Sequence, residues 1–348
     1  MAGRRHSSVK GISYQSTSSG GPSSSSRSSW PACRSPRSSF FDGRSVTKKE
    51  LFIAIVILLA FSSVLDASGQ VLPRLQGPYL GQKPPGMTPE MFAPSIITTD
   101  EEEGSSGFAR NGTVFLFQKF LERRCHTYIM RLRDGAWTAP ELIPFWETMA
   151  ENGDFVFSSD DKTMLYQVRT GVGPSTISHI WRAEVTETGW GEQTPLPEPV
   201  NTPHFESFAS DTADGTLYFF SRRPGGKGRS DLWRCALSGR AYADAVNLES
   251  LNTEFEEWDP FVAPDESYVI FCSTKPGGLG RDDLYIAFKA RDGSWGPPVN
   301  LGPEVNSSGS ENRPWVSRDG KYFFFTSTRN GSRDTFWVKA EYLDRFKR

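Results

Sequence analysis

A pattern with a period of about fifty residues runs through the chain and constrains its fold more than any other feature. A unit that short cannot bury its own apolar face and must stack on copies of itself. One marker is a tight-turn pair followed by an aromatic-rich strand. It occurs as Asn111-Gly112 before VFLF, Asp161-Lys162 before MLYQ, Asp214-Gly215 before LYFF, Asp265-Glu266 before YVIFC and Asp319-Gly320 before YFFF. The steps are 50, 53, 51 and 54 residues. A second marker, an aromatic residue closing a polar turn, falls at Trp137, Trp190, Tyr242 and Trp295, with steps of 53, 52 and 53. Each period holds four short β-type runs, which in the fourth are PFVAP, SYVIFCS, DLYIAFKA and WGPPVNLG with turn residues between. Four antiparallel strands per unit of this length make the blade of a β-propeller, so the fold class is all-β.

The blade count follows from the ends. Complete units begin near residues 103, 153, 206 and 257, and a fifth begins at Glu311 with only three strands, RPWVS, YFFFTST and DTFWVKAE. The missing strand should resemble Trp295-Gly296-Pro297-Pro298-Val299-Asn300-Leu301. Met91 to Ile97 fits that template, with Pro94 and Ile97 in the places of Pro298 and Leu301. The sequence therefore predicts a five-bladed β-propeller over 90–344, closed by an N-terminal strand from Phe92 to Ile97 that protects both open edges. Six blades would need about 46 residues each, and no sixth marker occurs.

The repeats also carry a resemblance. The segments 221–233 (SRRPGGKGRSDLW) and 273–285 (STKPGGLGRDDLY), with the Asp-Gly turns, are similar to the TolB-type, WD-repeat-like propeller repeats of bacterial envelope proteins. Tyr79 to Met87 (YLGQKPPGM) resembles the N-terminus of single-domain members described as Tol-type biopolymer-transport proteins. The match spans residues 79–345 and implies a propeller of the cell envelope, without supplying catalytic residues. Blades one and two depart from it, because Cys125 and His179 stand where Asp231, Asp283 and Asp334 stand later.

The N-terminal region reads differently. Residues 1–45 hold 16 serines, seven Lys or Arg and one acid, Asp42. So polar a head, taken as residues 1–47, cannot bury enough apolar surface to fold. Residues 48–69 follow with Lys48-Lys49, the apolar run Leu51 to Leu65 and the small residues Ala67-Ser68-Gly69. A largely apolar run of fifteen residues falls short of the ~20 of a spanning helix and matches a signal-peptide core cut before Gln70. Two readings stand. Either translation starts near Val46 and the signal is cleaved, or Met1 is the start and residues 51–65 stay as an anchor with a basic cytoplasmic tail. Both put the body outside the cytoplasm, periplasmic or extracellular, with membrane contact only through residues 51–65 if these are uncleaved. Residues 70–89 read as a linker.

Residues 70–348 carry a net charge of -8, which excludes the basic footprint of a nucleic-acid binder. Cys125, Cys235 and Cys272 form no C-x-x-C pair, and His126, His179 and His204 lack metal spacing, so neither a metal nor another cofactor is expected.

Three recurrent groups share the face of the Gly-rich loops. Glu206, Glu257 and Glu311 each precede their Asp-Gly turn or its equivalent by eight residues, and Asn201, Asn252 and Asn306 sit five residues before them. Arg223, Lys275 and Arg329 open loops that end at Asp231, Asp283 and Asp334. Residues repeated in every blade are what a scaffold demands. On that reading each cation pairs with the aspartate across its hairpin, and each glutamate accepts backbone N–H bonds at the blade junction. The functional expectation is a non-catalytic binding or interaction propeller that takes an envelope protein or a glycan on this face, with Arg223, Lys275, Arg329, Trp258 and Trp315 as ligand-face candidates. The alternative is a five-bladed glycoside hydrolase using unequal carboxylates among Glu206, Glu257, Asp259 and Glu311.

Overall fold

A computed structural model describes residues 64–65, 71–72, 75–122, 124–143, 152–171, 176–186 and 189–347. The head and the apolar run, apart from Val64–Leu65, lie outside them; Val64–Leu65 pairs with Val71–Leu72. Among the described residues no helix is long and apolar enough to cross a membrane.

The chain forms a five-bladed β-propeller. Blade 1 is Glu102–Ala109, Val114–Leu121 and Arg124–Arg133, edged by Ala136–Trp137 and Glu141–Leu142. Blade 2 is Asn152–Phe157, Thr163–Thr170, Ile177–Val185 and Trp190–Pro195. Blade 3 is Glu206–Asp211, Leu217–Ser221, Asp231–Cys235 and Val246–Asn247, and blade 4 is Glu257–Val262, Tyr268–Ser273, Asp283–Phe288 and Val299–Asn300. Blade 5 adds Glu90–Met91 to Glu311–Val316, Tyr322–Ser327 and Asp334–Lys339. The first strands of neighbouring blades pack on one another from blade 1 to blade 5, and the last blade returns onto Glu102–Ala109, so these strands enclose a central channel. Apolar cores lie between blades. Tyr218 and Phe220 of blade 3 meet Val269 and Phe271 of blade 4, and Ile270 and Cys272 on the other side of that strand meet Phe323 and Phe325 of blade 5. The alternation of each middle strand thus feeds two cores, which explains why these strands read as continuous apolar runs.

The closing strand is present, but it is Glu90–Met91 rather than Phe92 to Ile97. Met91 lies opposite Phe336 and Glu90 opposite Trp337. The Phe92 N–H donates to the Thr335 carbonyl at 2.8 Å, as the Leu301 N–H donates to Leu284 at 3.0 Å. Phe92 is therefore the counterpart of Leu301, five residues ahead of the predicted register. The template failed because the stretch after Phe92 cannot extend. Ala93 and Ser95 have φ of 46° and 66°, and Pro94 has no N–H for a ladder. The chain turns there, with the Ile96 N–H donating to the Ala93 carbonyl.

Part of the expected linker is also docked. The Trp137 indole N–H donates to the Gly77 carbonyl at 2.7 Å, and the Tyr79 hydroxyl donates to Asp319 at 2.6 Å. Leu80 and Phe92 are fully buried in the core between blades 5 and 1. Phe92 packs edge-on against Phe324 and Trp337 at 5.2 and 5.0 Å.

Because one ring bridges the first and last blades, Phe92→Ala is expected to lower the unfolding free energy by about 3–5 kcal/mol. Urea denaturation measures this, and a loss below about 1 kcal/mol would show that closure does not depend on this ring.

Candidate ligand site in the central channel

The repeated glutamates are built into the frame. Glu206 accepts the Thr202 N–H at 3.0 Å, the Thr202 hydroxyl at 2.6 Å and the Ser221 hydroxyl at 2.8 Å. Glu257 takes the same three bonds from Thr253 and Ser273, and Glu311 takes them from Ser307 and Ser327. All three glutamates are fully buried. The asparagines ahead of them clasp the third strands, since Asn252 accepts the Leu232 N–H and donates to the Leu232 carbonyl. Asn201 and Asn306 do likewise with Ile180 and Leu284. The expectation that the glutamates accept backbone N–H bonds at the blade junctions agrees with this geometry. As a hydrolase trio, Glu206, Glu257 and Glu311 lie in three separate junctions.

The expected pairing of cations with aspartates does not occur. Arg223 turns to Glu206 at 3.4 Å and donates to the Val200 and Pro199 carbonyls at 2.6 and 2.9 Å. Arg329 lies 3.8 Å from Glu311 and donates to the Ser327 hydroxyl and the Glu304 carbonyl. Lys275 sits over the Tyr285 ring at 3.9 Å, with its pKa lowered by burial against the pull of Glu257. The aspartates instead hold their own loops. Asp231 accepts the Lys227 and Gly228 N–H groups, Asp283 accepts those of Leu279 and Gly280, and Asp334 accepts from Ser332 and Asn330. A buried carboxylate with no cation of its own outcompetes an aspartate already satisfied by donors of its own loop. The glycines serve the same frame, because a Cβ on Gly228 would collide with the Phe255 carbonyl and one on Gly280 with the Gly309 carbonyl of the next blade. Trp258 packs between two inter-blade cores. Arg223, Lys275, Arg329 and Trp258 are thus frame residues in position.

What is not repeated lies inside the channel. Each first strand carries a bulge, and in blades 3, 4 and 5 its residue two after the glutamate is left-handed: Phe208 at φ 46°, Asp259 at 50° and Arg313 at 51°. Aligned positions thus carry a ring, an acid and a base. The Arg313 guanidinium donates through Nε to Asp154 at 2.5 Å and through Nη1 to Asn312 at 2.9 Å, and its backbone N–H donates to Asp259 at 3.3 Å. Ser105 donates its hydroxyl to Asp154 at 3.2 Å. Burial works to raise the Asp154 pKa, but the Arg313 charge and hydrogen bond outweigh it and hold this carboxyl below its ordinary value. Burial and the Asp154 charge push Asp259 up to about 7. Two neighbouring carboxyl groups therefore differ in protonation at neutral pH.

Above this trio lies a cavity of about 140 Å³ on the face of the turns between first and second strands. Phe108, Phe157, Phe208, Phe261, Tyr268 and Trp315 supply rings, serines supply hydroxyls, and Arg313 and Arg318 supply charge. Trp315 lies flat on Phe324, with centroids 3.9 Å apart and planes 2° apart. Among the ligand-face candidates only Trp315 lines the cavity, and the cavity opens opposite the face on which it was expected. Asp154 and Asp259 are not in its lining. Asp161 and Asp211 are, but each is bonded across a blade boundary, to the Asn111 and Ser159 N–H groups.

Sequence reasoning missed Asp154, Arg313 and Glu103. Glu103 precedes Asn111 by the same eight residues that identified its counterparts. It accepts from Thr99 but has Lys119 where they have serine, and burial pushes it up to about 8. Arg313 could have been found by comparing repeats, since only a column whose charge changes from blade to blade is free of the frame. Among the described residues no group of three or more His, Cys, Asp or Glu side chains could hold a metal ion.

No protein-family model matches the chain, and no curated protein matches it in sequence. Among solved structures it is similar to TolB from Acinetobacter baumannii at 16% identity, covering 70% of this chain and 55% of that one, with a TM-score of 0.43. The chain thus spans about half the length of that TolB. It is also similar to a thermostable family-43 glycoside hydrolase, at 15% identity over 70% and 90% of the two chains and a TM-score of 0.45. An α-L-arabinofuranosidase from Lactobacillus brevis is similar at 12% identity over 70% and 91%, with a TM-score of 0.47. No site residue comes with these likenesses.

Two outcomes follow from the frame and the trio. Glu257→Ala removes the acceptor of three buried donors and is expected to cost about 3–5 kcal/mol in urea unfolding; a change below about 1 kcal/mol would contradict the brace. For Asp259, a folded pKa near 7 lies above its unfolded value of 3.8. Its proton is held more tightly in the folded state, so its contribution is intact below pH 3.8 and is lost as pH rises towards 7. The stability of Asp259→Asn relative to the parent should therefore climb between about pH 4 and 7 and then level off; a flat difference would refute the assignment.

Proposed function

We propose that the chain is a non-catalytic binding propeller that takes the terminal sugar of a glycan in the channel mouth on the turn face. The observation that carries this reading is the cavity in which Trp315 offers one ring face while Phe324 backs the other. Its volume of about 140 Å³ is close to the ~150 Å³ that admits one six-membered ring in an apolar core. Sugars stack on such rings, and Ser106, Arg313 and Arg318 are polar side chains of the same lining. Binding rather than turnover is favoured because Asp154 is engaged by Arg313 and Ser105, and Asp259 by the Arg313 backbone. Export belongs to the same reading, with the sequence from Lys48 to Gly69 as its support.

A hydrolase is the second reading, favoured by the unequal protonation of Asp154 and Asp259, because such pairs divide the acid and base roles in glycoside hydrolysis. A glycan array run beside a turnover assay separates the two. The expected result is saturable binding without release of sugar, weakened about tenfold or more by Trp315→Ala. Turnover that disappears in Asp259→Asn would replace the first reading with the second.

A further inference from the structure

At the opposite mouth of the channel we propose a second site, for a dianionic phosphate group, formed by Arg169, Arg222 and Arg229. Arg169 closes the second strand of blade 2, Arg222 directly follows the second strand of blade 3, and Arg229 lies in the Gly-rich loop of blade 3. Phe205 gathers two of them. The Arg222 guanidinium carbon is 4.3 Å and that of Arg169 5.7 Å from its ring centroid, and Phe205 itself stacks on Phe220 at 5.9 Å. Stacking uses the face of a guanidinium and leaves its N–H edge for in-plane acceptors, the geometry that carboxylate and phosphate oxygens match.

Among the described residues these donors are largely unused. Arg222 donates through Nε to the Ser230 hydroxyl at 3.2 Å, and the Arg169 Nε is buried without a partner. Among the described residues one carboxylate pairs with the three cations, Glu256 with Arg229 at 3.3 Å. Asp154 feels the Arg169 charge but is already engaged by Arg313. The group therefore holds a surplus of two positive charges, which a phosphate of -1.5 to -2 neutralises and a carboxylate does not. Burial and the neighbouring charges of Arg229 and Arg169 lower the Arg222 pKa, as expected for cations held together without their counterion.

The repeats argue that this is not frame. Thr274 and Thr328 stand where Arg222 stands, and their hydroxyls accept the N–H groups of Glu256 and Ser310. Those two residues are the counterparts of Phe205, and all three positions share one backbone bond, Arg222 to Phe205, Thr274 to Glu256 and Thr328 to Ser310. A threonine is enough for the blade, and the arginine on phenylalanine is an addition.

The test is calorimetric titration of the full chain at low ionic strength with inorganic phosphate, glycerol phosphate and acetate. Saturable phosphate binding at least about tenfold tighter than acetate is expected, falling about tenfold or more in Arg222→Gln. Arg229→Gln, at a side chain 69% exposed, should fold as the parent does and weaken binding severalfold. Trp315→Ala should bind phosphate as the parent does, which keeps this site independent of the sugar reading. Glycerol phosphate binding at least as tightly as phosphate would mark a monoester on a larger molecule as the ligand; weaker binding would mark free phosphate. Lack of saturation, acetate equal to phosphate, or parental affinity in both arginine variants would overturn the proposal.

Discussion

A carboxylate stripped of water needs several donors at once, and this propeller meets that need at the same point of three successive blades. Glu206, Glu257 and Glu311 each take one backbone N–H and two hydroxyl groups, drawn from the connection before the blade and from its second strand. An unpaired buried charge would cost several kcal/mol, so connection and strand have little freedom to move apart. The cations add to the constraint, since Arg223 and Arg329 tie the same carboxylate to carbonyls of the preceding connection. Blade 1 keeps the acid as Glu103 without the serine, and blade 2 has Asn152 opposite Val168. The frame is thus braced on one arc of the ring more fully than on the other.

The Gly-rich loops complete the frame by docking backbone on backbone. The Arg281 N–H donates to the Gly309 carbonyl, while the Glu257 and Glu311 N–H groups donate to Ser230 and Asp282 of the preceding blades. Contacts this close exclude side chains, which accounts for the glycines without any ligand. With loops, glutamates and cations committed to holding blades together, the positions left for function are those facing the channel and its two mouths.

How far the sequence could be read follows from the same division. Blade count, strand order and the junction glutamates were legible because they recur, and a two-residue turn before an aromatic strand is a local signal. The closing strand was misplaced by five residues because its template rested on Pro94 and Ile97, whereas register was set by where Phe92 could enter the core between blades 5 and 1. The cation–aspartate pairs were misread because nearness in sequence across a hairpin says nothing about which carboxylate lacks donors. Asp154 and Arg313 were invisible to repeat logic, being 159 residues apart and joined only by ring closure. Trp315 was noticed, but the face on which it would act depended on the bulge, which no sequence marker revealed.

The left-handed residue in the first strands of blades 3 to 5 has a consequence for how such a chain can diverge. Its backbone conformation is fixed by the bulge, while its side chain takes no part in the ladder, so Phe208, Asp259 and Arg313 occupy one address with three chemistries. Ser105 holds the corresponding address in blade 1 and, like Phe208 and Arg313, lines the cavity. Mutation there rewrites the channel's polarity and leaves the joints between blades as they were. A molecule arranged in this way can drift among ligands at a handful of interior sites while the selection that keeps it folded acts on other residues.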